Sequence, residues 1–113
     1  MNVDVQASAY FIRRLKRLSK RYRSIKEDVA PIIEKLKVGN FIGDKIQGLE
    51  STVFKVRAKN RDIPTGKSGG YRIIYQIASP DEVILLLIYA KSDMSSVSES
   101  EIRSILQDID SSS

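Results

Sequence analysis

The chain predicts an α+β fold: a small antiparallel-dominated sheet flanked by helices, in the order β-α-α-β-β-β-α. Three observations predict it. Apolar residues recur at helical spacing through the first third of the chain. From Val53 the pattern changes to short alternating or apolar runs bounded by Gly, Pro, Asn and Asp. A serine-capped amphipathic segment then closes the sequence. The length of 113 residues suits one domain, residues 1–113, with a core that needs no staples.

Val3 and Val5 alternate with Asp4 and Gln6, a short opening strand. Ser8 is placed to cap the helix that follows. Phe11, Leu15, Leu18 and Tyr22 form its apolar stripe, and Arg13, Arg14, Lys16, Arg17, Lys20, Arg21 and Arg23 fill most of the remainder. Solvated heads on snorkelling stems account for most of these seven cations. Ser24-Ile25-Lys26-Glu27 predicts a capping box. The second helix buries Ile25, Val29, Ile32, Ile33 and Leu36 and stops at Gly39. Pro31 implies either a kink or a start at Asp28. The short turn between the helices predicts an antiparallel hairpin.

Residues 40–52 contain Gly43 and Gly48 and predict a loop. Val53–Lys59, Tyr71–Ala78 and Val83–Lys91 predict strands, the last two joined at Ser79-Pro80-Asp81 as a hairpin. Ser98-Glu99-Ser100-Glu101 predicts a second capping box, opening a helix with Ile102, Ile105, Leu106 and Ile109 on one face.

Composition excludes several chemistries. With no cysteine and no histidine, disulfides, thiolate metal sites, cysteine nucleophiles and imidazole bases are ruled out. Acid–base work falls to Lys, Arg, Tyr, Asp or Glu. The longest apolar run, Val83–Ala90, is far short of the ~20 residues of a spanning helix, and Met1–Tyr10 lacks signal-peptide character. A cytoplasmic protein is expected. The net charge of +5 hides an asymmetry: residues 1–91 carry 18 basic and 9 acidic side chains, whereas residues 92–113 carry 1 and 5. A basic body suits a polyanionic partner.

The cations are patterned. On Val53–Lys59, alternation sends Phe54, Val56 and Ala58 to one face and Lys55, Arg57 and Lys59 to the other. On the next strand Tyr71, Ile73, Tyr75 and Ile77 form the apolar face, with Arg72, Ile74 and Gln76 opposite. Arg72 requires either an ion pair, with Asp44, Glu50 or Asp62 as candidates, or a phosphate for its planar fork. Tyr89 and Lys91 end the third strand on a shared face. Thr65-Gly66-Lys67-Ser68-Gly69 is not a nucleotide-binding loop. Arg61 stands where the first glycine is needed, and a strand rather than a helix follows. Gly69 and Gly70 instead let the backbone turn into that strand.

At these residues the sequence resembles the RelE/ParE superfamily of bacterial type II toxins, in particular the RelE- and HigB-like mRNA endonucleases. The likeness lies in the Arg-Arg-Leu-Lys-Arg-Leu run of the first helix, Phe54-Lys55-Val56-Arg57, Gly66-Lys67-Ser68-Gly69-Gly70-Tyr71-Arg72-Ile73-Ile74-Tyr75, and Leu87-Ile88-Tyr89-Ala90-Lys91. It implies cleavage of mRNA on the ribosome by attack of a ribose 2′-hydroxyl on the adjacent phosphate, without metal or cofactor, and silencing by a cognate antitoxin protein. It implies catalytic roles for Lys55, Arg57, Arg72, Tyr89 and Lys91. Arg57 and Arg72 would stabilise phosphate charge, Lys55 would bind substrate or act as base, and Tyr89 and Lys91 would serve the leaving group or stack on a base. Lys59, Arg61 and Lys67 would contact RNA. Cations aimed at a phosphate stabilise the charge that grows in the transition state, and a lysine crowded by cations gives up its proton more readily. Two other functions fit the same fold: inhibition of DNA gyrase, as in ParE-like members, and non-catalytic RNA binding.

Overall fold

The computed structural model describes residues 2–63, 69–94 and 96–111. In chain order its elements are β1 (Asp4–Ala7), α1 (Ala9–Ser19), α2 (Ile25–Lys37), β2 (Asp44–Lys45), β3 (Val53–Ala58), β4 (Tyr71–Ser79), β5 (Glu82–Ala90) and α3 (Glu99–Ser111). The strands form one mixed sheet in the order β1-β5-β4-β3-β2. β1 runs parallel to β5, and the other neighbours are antiparallel. This is the α+β arrangement predicted, with one addition. The two-residue β2 pairs with β3 inside the segment predicted as a loop.

The sheet is covered on both sides. Phe11, Leu18, Ile25, Val29 and Leu36 of α1 and α2 bury Val56, Ile73, Tyr75, Leu85 and Ile88. On the other side Ile102 and Ile105 of α3 bury Val53, Ile74, Leu86, Leu87 and Tyr89. β4 and β5 at the centre are therefore apolar on both faces, which explains the unbroken run Val83–Ala90.

A β-bulge sets which residue of β5 faces which layer. Ile74 pairs with Leu87 and Tyr75 with Leu85, so Leu86 is the extra residue. Before the bulge Val83 and Leu85 face α1 and α2. After it Leu87 and Tyr89 face α3. Uninterrupted alternation would place all four on one face. Ser8 holds this point: its hydroxyl donates to the Leu86 carbonyl at 2.8 Å and accepts from the Phe11 amide at 3.0 Å. The expected cap of α1 thus also ties that helix to the bulge.

The other helix ends differ in how they are made. Ser98 accepts from the Glu101 amide, as its motif predicts. Ser24 precedes α2 but makes no side-chain cap bond. Its amide donates instead to Asp62, and Glu27 turns to Arg61 at 3.1 Å. The box is displaced by a stronger partner: the Arg61 Nε donates to the buried Asp28 carboxylate at 2.7 Å, and the Arg61 amide donates to it at 2.9 Å. α2 starts at Ile25 and runs through Pro31, which lies on its exposed side. Gly39, at φ 84°, ends it: the Gly39 amide donates to Leu36 and the Asn40 amide to Lys35.

Ser8→Ala is expected to destabilise the protein by about 1–3 kcal/mol, since it removes a cap and a buried hydrogen bond together. Urea unfolding measures this. An unchanged midpoint would show that the bulge holds without Ser8.

Candidate functional site

Three of the predicted site residues lie in one row across the sheet. Arg57 on β3 is the register partner of Arg72 on β4, which is the partner of Tyr89 on β5. All three are on the α3 side, because Arg72 alternates with Tyr71 and Ile73 and the Leu86 bulge turns Tyr89 the same way. Adjacent strands lie about 4.8 Å apart, so the row spans about 10 Å. Burial deepens along it: Arg57 is exposed, Arg72 is 8% exposed and Tyr89 2%.

Arg72 makes no ion pair with any described residue; Asp44, Glu50 and Asp62 are not its partners. Its Nη1 donates to the carbonyls of Gly69 at 3.0 Å and Tyr71 at 3.2 Å. These bonds fix the plane of the guanidinium. Nε and Nη2 have no hydrogen-bond partner among the described residues. Burial, and then the like charge of Arg57, push the Arg72 pKa down, while Tyr89 opposes this. Like charges directly opposite on paired strands repel. An anion in front of the row would relieve that repulsion.

The Tyr89 hydroxyl is buried, without a hydrogen-bond partner among the described residues. Burial pushes its pKa up, and the Arg72 charge pulls it back. The ring is packed in the core beneath α3, so neither face is free to stack on a base in this conformation. Its hydroxyl lies close enough to Arg72 to feel that charge.

Lys55 stands one pair along, opposite Ile74, and is partly exposed. β2 brings Asp44 directly opposite it on the other side. The two form no ion pair, but directly paired side chains share a face within reach of each other. The sequence offered Asp44 as a partner for Arg72 and not for Lys55, because a two-residue strand has no periodicity to reveal its pairing. Lys59 is exposed just past the end of β3. β5 ends at Ala90, so Lys91 lies in the following turn and not on the strand face predicted to be shared with Tyr89. Its amide donates to the Gly70 carbonyl, which keeps it at the β4 end of the row. Gly70 has φ 79°, and a Cβ there would lie 2.4 Å from the Ala58 carbonyl, so glycine is required where the chain enters β4.

Arg61 is not brought into this group. Its guanidinium is bound to Asp28 and Glu27 of α2. Lys67 lies outside the described residues.

In comparisons with known proteins, no family model and no curated protein matches this chain.

The buried phenols give the site a pH signature. Burial pushes the hydroxyls of Tyr71 and Tyr89 up, and that of Tyr75 up to about 12. Unfolded tyrosine ionises near 10. The unfolded chain therefore releases these protons first, so stability is constant below pH ~10 and falls as pH rises through the folded values. The ionisation of these three phenols should coincide with loss of circular dichroism. Full phenolate absorbance in a still-folded protein would contradict their burial.

Proposed function

We propose that this chain is the cytoplasmic toxin of a type II toxin–antitoxin pair, a metal-independent endoribonuclease that cuts mRNA on the ribosome. The observation that carries the reading is the Arg57–Arg72–Tyr89 row. It combines two cations without counter-charges among the described residues, one of them with its plane fixed, and beside them a phenol with no hydrogen-bond partner among those residues. No helix among the described residues is long and apolar enough to cross a membrane.

In this mechanism the mRNA backbone lies along the exposed side of β3, over Lys55 and Arg57. The ribose 2′-oxygen attacks the adjacent phosphorus. The O2′–P bond forms as the P–O5′ bond breaks, leaving a 2′,3′-cyclic phosphate and a 5′-hydroxyl. The Lys55 amine takes the 2′ proton, with Asp44 standing across the strand pair from it. Arg57 and Arg72 hold the two non-bridging oxygens, where negative charge grows. Tyr89 or Lys91 supplies the proton to the departing 5′-oxygen. Lys59 and Lys67 contact RNA away from the cut. The ribosome supplies the substrate in an attack-ready shape, and such orientation is worth roughly 7–11 kcal/mol. The partners are ribosome, mRNA and a cognate antitoxin whose acidic or amphipathic segment covers the basic surface between episodes of activity.

Expression of the chain alone should arrest growth, with new mRNA ends visible by primer extension. Arg57→Ala and Arg72→Lys should each slow cleavage on translating ribosomes by about a hundredfold or more. Full cleavage by both folded variants would reject the site. Efficient cutting of naked RNA would reject the ribosome's role.

Tyr89→Phe separates stability from chemistry. It removes a buried hydroxyl that has no partner, so the melting temperature should hold or rise. If Tyr89 is the proton donor, cleavage should fall by about a hundredfold or more. Tyr71→Phe, on the opposite face, should leave cleavage unchanged. Equal cleavage by both variants would assign the proton to Lys91.

A further inference from the structure

α1 carries seven cations in and beside it, and the structure separates them. Arg21 is paired with Asp93 at 2.8 Å. Arg13, Arg14 and Arg17 instead line a pocket of about 220 Å³ between α1 and α3, with Tyr10, Leu87 and Glu101 completing the wall. None of the three arginines forms an ion pair with a described residue. Arg13 lies over the Tyr10 ring at 5.2 Å, which orients its guanidinium. Arg14 Nη1 donates to the Met94 sulfur at 4.0 Å. The Tyr10 hydroxyl donates to Asp108 and ties α1 to α3. The pocket therefore has walls on two elements that are fastened to each other.

Three guanidinium groups face one carboxylate there, so the pocket has a net positive charge even with Glu101 ionised. Leu87 places the pocket relative to the row, since it lies two residues before Tyr89 on β5 and shares its face. The pocket and the row thus lie on one side of the sheet, the side that α3 packs against. Two cationic sites on one side match a chain of regularly spaced phosphates, and arginine's fork favours phosphate geometry over a point charge.

We infer that the Arg13–Arg14–Arg17 pocket binds a backbone phosphate of RNA, as a second anchoring site apart from the cleavage row. This rests on the proposed RNA target but not on cleavage. The phosphate comes either from the mRNA strand being cut or from ribosomal RNA beside it. Glu101, the one carboxylate lining the pocket, repels an arriving phosphate and weakens its binding.

The test is binding, read by fluorescence anisotropy with the full chain. The probes are a short single-stranded 2′-O-methyl RNA, which cannot be cut, and vacant ribosomes. Variants are Arg13→Gln with Arg17→Gln, Glu101→Gln, and all three together, each checked for an unchanged melting curve. The double arginine variant should weaken binding and lower the slope of log affinity against log salt by about 0.7 for each single-strand phosphate that the protein no longer neutralises. Weaker binding of the free RNA identifies the mRNA strand; weaker binding of ribosomes alone identifies ribosomal RNA. Glu101→Gln should strengthen binding in the parent, and this gain should vanish in the triple variant. Unchanged affinity for both probes overturns the inference. So does an equal gain from Glu101→Gln with and without the arginines, which would reflect net charge alone. Arginine-dependent binding of polyglutamate, with neither RNA probe affected, overturns it in favour of an acidic protein partner. Arg57→Gln reports separately on the cleavage row: it should abolish cleavage whatever the pocket does, so the two proposals fail by different measurements.

Discussion

The hydrogen bond from Ser8 to the Leu86 carbonyl fixes more of this molecule than its size suggests. β5 is apolar on both faces, so its side chains alone do not choose between the two helical layers. The bulge makes the choice, and a bulge needs somewhere to send its carbonyl. Ser8 provides that partner while capping α1 through the Phe11 amide. One hydroxyl therefore joins the start of the first helix to the point where β5 changes phase. Beyond that point Tyr89 faces α3 and Arg72, instead of the α1–α2 layer. The geometry of the candidate site thus depends on Ser8, which follows β1 and bonds to β5 three positions before Tyr89.

A second constraint acts within the row. Arg57 and Arg72 are direct neighbours on paired strands, and no carboxylate among the described residues neutralises Arg72. The sheet carries this repulsion because other interactions hold β4 in place. Arg72 is pinned by two backbone carbonyls, and Tyr71 and Ile73 on either side are fully buried. Arg57 is exposed, so water screens one partner of the pair. Several of the acids are committed elsewhere. Asp28 and Glu27 hold Arg61, Asp62 holds the Ser24 amide, and Asp93 holds Arg21. This allocation leaves Arg57 and Arg72 available to an anion, whereas Arg61, read from the sequence as equally available, fastens β3's exit to α2.

The sequence shows most of the fold for physical reasons that are local. Helical spacing, the Ser8 and Ser98 caps and the Gly39 stop are short-range signals, and each element they mark is present. Period-two alternation on β3 and β4 correctly separated Lys55, Arg57 and Arg72 from the apolar face. What stayed hidden is what depends on distant partners. Ser24-Ile25-Lys26-Glu27 has the form of a capping box, yet Arg61 and Asp62 compete for both ends of it. The run Val83–Ala90 contains no polar residue to mark the bulge, so the side on which Tyr89 lies had no signature in the sequence. β2 is two residues long, and Asp44 becomes visible only through its pairing with Lys55. The Arg13–Arg14–Arg17 pocket was masked by abundance: seven cations around one helix look like a solvated face until Leu87 of β5 and Glu101 of α3 complete a pocket wall with three of them.

The two unpartnered phenols show how similar burial yields different chemistry. The hydroxyls of Tyr71 and Tyr89 are both buried without hydrogen bonds, and burial pushes both pKa values up. Their neighbours differ in sign. Around Tyr71 the charges are Asp28 and Asp62, which hold the phenol's proton more firmly. Beside Tyr89 the charge is Arg72, which loosens it. An unpartnered hydroxyl among carboxylates costs stability and gains no proton-donor role. One beside a guanidinium, in a row with two cations, suits the proton donor of the proposed mechanism. On that proposal the unsatisfied buried hydroxyl is stability given up for activity. By this argument the sign of the neighbouring charge, more than the depth of burial, separates a tyrosine of the core from a tyrosine of the proposed site.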